Sequence, residues 1–274
     1  MTPLALKRLI KQKENFLCVG LDTDVEKLPR VLKKEANPAL TFNKAIIDAT
    51  RPYCVSYKIN TAFYEAMGAK GWDIMAETLD YIGDEHFVIA DAKRGDIGNT
   101  AQQYAIAFFE KMNFHAITLS PYMGVETVEP YLKYPNKWAI ILGLTSNEGA
   151  ADLQLQKMES GMALFEKCMT RFSDVYSHEN TMFVVGATKA SFFRRIRQIC
   201  PDHFLLVPGV GTQGGSLEEI CQYGLNNEVG LLVNVSRGII YAGGDKPDFA
   251  KQAGQAAAFY KTKMGMLLRK KRII

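Results

Sequence analysis

The sequence has little of what marks secreted, membrane-spanning or zinc-binding proteins. Its 274 residues include only five cysteines and two tryptophans. The cysteines are scattered, odd in number and form no CxxC pair, so neither a disulfide framework nor a zinc site is indicated. No apolar run reaches membrane-spanning length, and the first residues lack the apolar core of a signal peptide. We therefore expect a cytoplasmic protein with no membrane partner.

The sequence also has little excess of one sign of charge, since its formal net charge is only +4. That mild excess suits an anionic small molecule but is too weak to indicate nucleic acid. The densest basic run, at residues 269–272, is interpreted as the solvated end of a helix. The four histidines do not form a metal-binding pattern, so no metal site is predicted.

Short apolar runs alternate with helix-length segments along the chain. The runs are rich in β-branched or aromatic residues and are bounded by Gly, Pro, Asn or charges, which is typical of strands. They lack strict polar alternation, as expected of parallel strands buried on both faces. The predicted strands are 16–21, 54–59, 87–90, 116–119, 138–142, 182–185, 204–207 and 231–235. The predicted helices include 38–50, 99–111, 159–172 and 216–223.

This alternation predicts an α/β fold with about eight strand–helix units, the count of a (β/α)₈ TIM barrel. We see no linker, repeat or low-complexity tract, so residues 1–274 are predicted to form a single barrel domain. A doubly wound open sheet is the alternative. The longest irregular piece is 145–157, after the fifth strand, and loops of that length often form a lid or a substrate wall.

The stretch DAKRGD places two carboxylates, Asp91 and Asp96, and the amine of Lys93 directly after the predicted strand 87–90. Asp91 and Lys93 are two residues apart, so on an extended backbone their side chains point the same way. Gly95 lets the chain turn before Asp96. Such a cluster is costly unless each charge has a partner, and costly clusters tend to lie at functional sites. A solvated turn with a surface ion pair is the alternative.

Polar residues also follow other predicted strands, where the active residues of a barrel lie. Each of them alone has a structural explanation, such as capping or turn chemistry. Their shared placement is what indicates a function. They are Asp22 after the first strand, Lys58 near the end of the second, Thr145, Ser146 and Asn147 after the fifth, and Ser236 and Arg237 after the eighth.

The glycine-rich segment at 208–215 contains GVGTQG, which fits the GxGxxG pattern of dinucleotide sites. That pattern usually opens a Rossmann domain and has an acidic residue at the end of the next strand. Here the next strand ends in Ser236 and Arg237, and the motif lies in the final third of the chain. Glycine-rich loops after the last two strands of a barrel bind phosphate through backbone N–H groups. With Arg237 as a bidentate clamp, the pattern favours a phosphate monoester.

Together these motifs resemble the orotidine 5′-phosphate decarboxylase family, in its longer bacterial form, over nearly the whole chain. The core of the resemblance is Asp91-x-Lys93-x-x-Asp96, with the 208–215 loop and the Ser236-Arg237 pair. It implies decarboxylation of orotidine 5′-monophosphate to uridine 5′-monophosphate in de novo pyrimidine biosynthesis, without cofactor or metal. It also implies a homodimer with active sites at the interface and no nucleic-acid partner.

The resemblance implies a role for each matching position. Lys93 would donate a proton to C6 of the pyrimidine, beside Asp91 at the leaving carboxylate, and Asp96 and Thr100 would reach the partner subunit's site. The implied catalytic residues are Lys93, Asp91, Lys58 and Asp96. The implied substrate-binding residues are Asp22, Thr100, Ser146, Gln213 and Arg237, and the implied phosphate-binding residues are Gly211, Gln213, Gly214 and Arg237.

Two alternatives to this function remain. Related sugar-phosphate decarboxylases and aldolases share the DxKxxD core, and they use Mg²⁺ to stabilise an enediolate. Gln213 and the 145–147 loop favour a pyrimidine nucleotide instead. A non-catalytic phosphate-binding protein on a degenerate barrel is the second alternative, but it would need a broken charge cluster, and this one is intact in the sequence.

Overall fold

The structure, a computed structural model, describes residues 1–211 and 214–274. Eight strands follow one another in sequence order and close into a barrel, with parallel pairing between neighbours. The (β/α)₈ prediction is therefore confirmed, and the open-sheet alternative is wrong. The strands are β1 (Leu17–Gly20), β2 (Ser56–Asn60), β3 (Phe87–Arg94), β4 (Ala116–Leu119), β5 (Trp138–Leu144), β6 (Thr181–Val185), β7 (Phe204–Pro208) and β8 (Leu231–Val235).

Helices connect the strands, as parallel crossovers require. The basic run at 269–272 begins in the last turn of the final helix, where cations favour the helix dipole. The helices are α1 (Pro3–Lys13), α2 (Pro38–Thr50), α3 (Thr61–Glu65), α4 (Ala69–Ile82), α5 (Gly98–Ala105), α6 (Glu129–Leu132), α7 (Leu164–Val175), α8 (Phe193–Ile199), α9 (Leu217–Gly224), α10 (Arg237–Ile240) and α11 (Phe249–Lys270).

Some of the predicted helices have the expected bounds and others do not. Helix α2 has the predicted bounds, because Pro38 starts it at the first turn. Ser216 caps α9 by accepting a hydrogen bond from the Glu219 N–H. The predicted helix 159–172 is displaced, since α7 begins only after Ala163, whose N–H donates to the Glu166 side chain at 2.9 Å. The predicted helix 99–111 divides into α5 and a π-helical segment.

Strand β3 is longer than the predicted 87–90. It pairs with β2 as far as the Asn60–Asp91 register position and runs to Arg94, whose carbonyl accepts from the Ser120 N–H at 2.8 Å. The charged cluster was expected after the strand, and that boundary is wrong: Asp91 and Lys93 belong to the strand itself. At Lys93 the backbone leaves the extended region, with φ +47°. Alternation along a regular strand therefore does not determine where the Lys93 side chain lies.

Contacts along the chain group its residues into two compact units. The first unit is Met1–Lys7 with Lys93–Val233, and the second is Arg8–Ala92 with Asn234–Ile274. Trp138 and Phe204 pack edge to face at 6.4 Å in the first unit. Phe42 and Phe249 stack at 5.4 Å in the second. The assignment of residues 1–274 to a single domain stays a prediction.

Among the described residues, no helix combines the length and apolar character that crossing a bilayer requires.

Two buried histidines predict how the stability of the fold depends on pH. His86 and His203 directly precede β3 and β7. Burial, with the positive charge of Lys13 nearby, lowers the pKa of His86 to about 4. Burial, with His178 nearby, lowers the pKa of His203 to about 4. In the unfolded chain a histidine titrates at about 6.5, so between these two values only the unfolded state takes up the protons.

We therefore expect the free energy of unfolding to be independent of these histidines above pH 6.5 and to fall as the pH drops toward 4. The expected slope is about 1.4 kcal/mol per pH unit for each histidine. Urea unfolding at pH 7, 6, 5 and 4.5 measures it. The variant His203→Phe should show a shallower slope than the parent. Equal slopes in the parent and His203→Phe would contradict the prediction.

Candidate active site

Three of the predicted site residues form one ion cluster, which we call the Lys58 cluster: Asp22, Lys58 and Asp91. Lys58 Nζ donates to Asp91 Oδ2 at 2.7 Å and lies 3.5 Å from Asp22 Oδ1. Pairing between β1 and β2 places Gly20 opposite Lys58. Asp22, two residues after Gly20, is therefore close to the end of β2. The sequence placed these residues at strand ends, and the structure brings their charged atoms into contact.

The Lys58 cluster holds a buried charge at a cost that its two acids offset. Lys58 is only 3% exposed. Burial by itself lowers the pKa of Lys58, but attraction to Asp22 and Asp91 and the hydrogen bond to Asp91 outweigh it and raise that pKa above its ordinary value. The amine is therefore charged at neutral pH.

The segment after Ala92 carries the other charged residues of the DAKRGD stretch. The Lys93 N–H donates to Thr118 Oγ1 at 2.9 Å. Asp96 Oδ1 accepts from the Ile97 N–H at 2.8 Å, directly before α5, which carries the exposed Thr100. This segment therefore presents an amine, a carboxylate and a hydroxyl within eight residues.

Arg94 is a residue of this segment to which sequence analysis assigned no role. Its guanidinium lies over the rings of Tyr104 and Phe108, at 5.4 and 5.6 Å from their centroids. Cation–π contacts of this kind stabilise a partly buried arginine by about 0.5–2 kcal/mol. The i, i+4 spacing of Tyr104 and Phe108 was a signal in the sequence, because it places both rings on one helical face.

Ser146 lies in a loop that neighbouring residues hold in place. Gln154 accepts from the Thr145 N–H at 2.7 Å and donates to Thr145 Oγ1 at 2.8 Å. A Cβ at Gly186 would lie 2.6 Å from the Ser146 nitrogen, so only glycine permits this approach. The long loop after β5 is therefore ordered by Gln154, which sequence analysis did not identify. The two hydrogen bonds between Gln154 and Thr145 depend on how the loop folds back.

The glycine-rich loop follows β7, as predicted. Gly209, Gly211 and Gly214 all have positive φ, between +79° and +97°, which other residues adopt only at a cost. The Gly214 N–H donates to the Gly211 carbonyl at 2.9 Å. A Cβ at Gly215 would lie 2.3 Å from Ala187 Cβ. Gln213 lies outside the described residues.

Arg237 is exposed and begins α10 after Ser236. Ser236 lies against β1, where a Cβ at Gly20 would be 1.9 Å from its hydroxyl oxygen. Asn234 Nδ2 donates to Ser236 Oγ at 3.1 Å. Glycine at position 20 is thus required for the chain to approach β1 this closely just before the arginine.

Within residues 1–211 and 214–274, no three His, Cys, Asp or Glu side chains lie where they could share a metal ion.

A closed barrel of eight parallel strands, with a buried ion cluster at strand ends and a glycine-rich loop after β7, defines a (β/α)₈-barrel enzyme. Comparison with known proteins gives the particular family. Residues 15–253 match the orotidine 5′-phosphate decarboxylase / HUMPS family, and the chain belongs to that family.

Relatives match over nearly the full chain. Orotidine 5′-phosphate decarboxylase of Phocaeicola vulgatus is 53% identical over 263 residues, covering 94% of this chain and 96% of the relative. The enzyme of Christiangramia forsetii is 52% identical, covering 98% of this chain and 100% of the relative. The solved structure of Leishmania donovani OMP decarboxylase is 34% identical, with a TM-score of 0.81 and coverage of 97% and 99%.

Proposed function

We propose that this chain decarboxylates orotidine 5′-monophosphate to uridine 5′-monophosphate, a step of de novo pyrimidine biosynthesis, with no metal or organic cofactor. The observation that carries the proposal is the Lys58 cluster, whose Asp91 lies two residues before Lys93 in β3. Family membership and the names of relatives that match over nearly the full length support the same substrate.

The reaction requires stabilisation of an unusual carbanion. The bond between C6 and the carboxylate breaks, CO₂ leaves, and the electron pair stays on C6. A plain pyrimidine has no electron sink for that pair, so the charges of the protein supply the stabilisation. The ammonium of Lys93 attracts the developing negative charge and then transfers a proton to C6. Solvent afterwards returns a proton to the Lys93 amine.

The Lys58 cluster contributes a fixed set of charges. Asp91 lies beside the leaving carboxylate, where repulsion between two anions is relieved when CO₂ departs. Lys58 holds Asp91 in place through their 2.7 Å contact, and Asp22 binds the ribose hydroxyls. Because these charges are positioned before substrate arrives, they need little reorganisation during the reaction.

The remaining positions bind the nucleotide. Ser146 contacts the amide edge of the pyrimidine, and Gln213 links the base to the phosphate. Arg237 holds the phosphate through a bidentate contact, together with the glycine-rich loop at Gly211 and Gly214. The phosphate is remote from C6, so its binding energy is available for loop closure and for organising the charges.

We also propose a homodimer in which Asp96 and Thr100 reach the partner subunit's active site. Large apolar side chains near this segment support an interface, since Ile97 is 54% exposed, Tyr122 86% and Met123 45%. Exposed apolar side chains of this kind are typical of protein–protein contacts. We place the protein in the cytoplasm, with no nucleic-acid or membrane partner.

The test is a spectrophotometric assay of purified protein with orotidine 5′-monophosphate, with and without a chelator. We expect loss of substrate absorbance at the same rate in both, because the charges of the chain itself stabilise the carbanion. Loss of activity with the chelator would contradict the cofactor-free mechanism and favour the magnesium-dependent sugar-phosphate class. Nucleotide binding without turnover would indicate the non-catalytic alternative.

A further inference from the structure

Lys93 has a backbone conformation that residues with side chains seldom adopt. Its φ is +47°, in the left-handed region where Cβ lies too close to the following carbonyl oxygen. Among the described residues, Glu14, Asn113, Asn136, Val229 and Arg272 also have positive φ, but these lie in turns and loops, whereas Lys93 lies within strand β3. Strain of this kind persists only where the surrounding structure holds it, and such positions cluster at functional sites.

The neighbouring strand β4 provides the constraint. The Lys93 N–H donates to Thr118 Oγ1 at 2.9 Å, and Thr118 is only 1% exposed. Two residues further along the chain, the Ser120 N–H donates to the Arg94 carbonyl at 2.8 Å. The peptide group before Lys93 and the peptide group after Arg94 are therefore both hydrogen-bonded to the segment 118–120.

Packing alone does not explain a hydroxyl at position 118. Strand β4 has the sequence Ala-Ile-Thr-Leu, and all four residues are buried. Valine has nearly the same shape and would bury no polar group, so an apolar strand would favour it. The threonine hydroxyl is accounted for by the backbone N–H that it accepts from Lys93.

We propose that Thr118 is a positioning residue for Lys93: its Oγ1 holds the left-handed backbone that directs the ammonium toward the substrate carbon. This inference rests on the role proposed above for Lys93. Thr118 reaches the backbone of Lys93, whereas the phosphate and ribose contacts proposed above are made by other residues. Its loss therefore displaces the proton donor and leaves nucleotide binding largely intact.

The variant Thr118→Val tests this role. We expect kcat to fall by about tenfold or more, which corresponds to about 1.4 kcal/mol of barrier, while KM and the affinity for uridine 5′-monophosphate change by less than about threefold. Thr118→Ser keeps the accepting oxygen and should restore kcat to near the parent value. The matched control is Thr181→Val, which removes a fully buried hydroxyl that donates to the Ser177 carbonyl at 2.7 Å; kcat should be unchanged.

A parent-like kcat in Thr118→Val, or an equal loss in Thr181→Val, would overturn the inference. The variant Lys93→Ala separates this failure from failure of the proposed function. If Lys93→Ala is inactive and Thr118→Val is fully active, only the role of Thr118 is rejected. The unmodified enzyme provides an independent measurement if Thr118→Val does not fold. Its Lys93 amide should be protected from deuterium exchange, and rapid exchange there would overturn the inference.

Discussion

Lys93→Ala should lower turnover of orotidine 5′-monophosphate by about a thousandfold or more, since it removes both the charge that stabilises the carbanion and the proton donor. Product binding should remain measurable, because the phosphate and ribose contacts are made by other residues. Steady-state kinetics and calorimetry with uridine 5′-monophosphate measure the two effects. The control is Lys70→Ala, which removes an exposed lysine of α4 and should leave both unchanged.

The same variant tests the shared active site. If Asp96 acts in the partner's site, mixing Lys93→Ala with Asp96→Ala subunits creates heterodimers with one intact site. After random exchange of equal amounts, the mixture should have about a quarter of the activity of the same amount of parent enzyme, as expected for a two-fold symmetric dimer. No recovery from mixing, with each variant folded and dimeric, would contradict the proposed role of Asp96. Turnover by Lys93→Ala at the parent rate would contradict the role of Lys93.

Lys58→Met should damage both stability and activity. The side chains of Asp22 and Asp91 are only 18% and 11% exposed, and the variant leaves them without their shared cation. Breaking a buried ion pair by removing one partner costs about 3–5 kcal/mol, so we expect a loss of about 3 kcal/mol in the free energy of unfolding. Turnover should fall by about a hundredfold or more, because the charges around the reacting carbon lose their arrangement.

A second change separates these two effects. Lys58→Met with Asp91→Asn removes one of the two carboxylates that lost this cation, so stability should recover by about 2 kcal/mol while activity stays low. The control is Arg30→Met, which breaks an exposed contact between Arg30 Nε and Asp245 Oδ2 at 2.9 Å; such a pair contributes about 0–1 kcal/mol. Unfolding in urea measures all three. A Lys58→Met variant as stable as the parent would show that the ion pairs of Lys58 with Asp22 and Asp91 do not stabilise the fold.

Much of the barrel was predictable from the sequence. The runs at 116–119 and 231–235 have the bounds of β4 and β8, because short apolar segments buried on both faces carry a clear local pattern. The Pro38 start of α2 and the Ser216 cap of α9 are likewise local. The start of α7 was predicted too early, although its signal is also local: the Ala163 N–H donates to Glu166 three residues later and so fixes the first turn of the helix.

By itself, the sequence determined which side chains are available at the strand ends: Asp22, Lys58, Asp91, Lys93 and Arg237. Only the tertiary structure decided how they are held. It sets Lys58 against two acids, Gln154 against Thr145, Ser236 against Gly20, and Thr118 against the strained backbone of Lys93. These pairings join residues up to 216 positions apart. They depend on strand register and on how closely two backbones approach, and no local pattern of residues encodes either quantity.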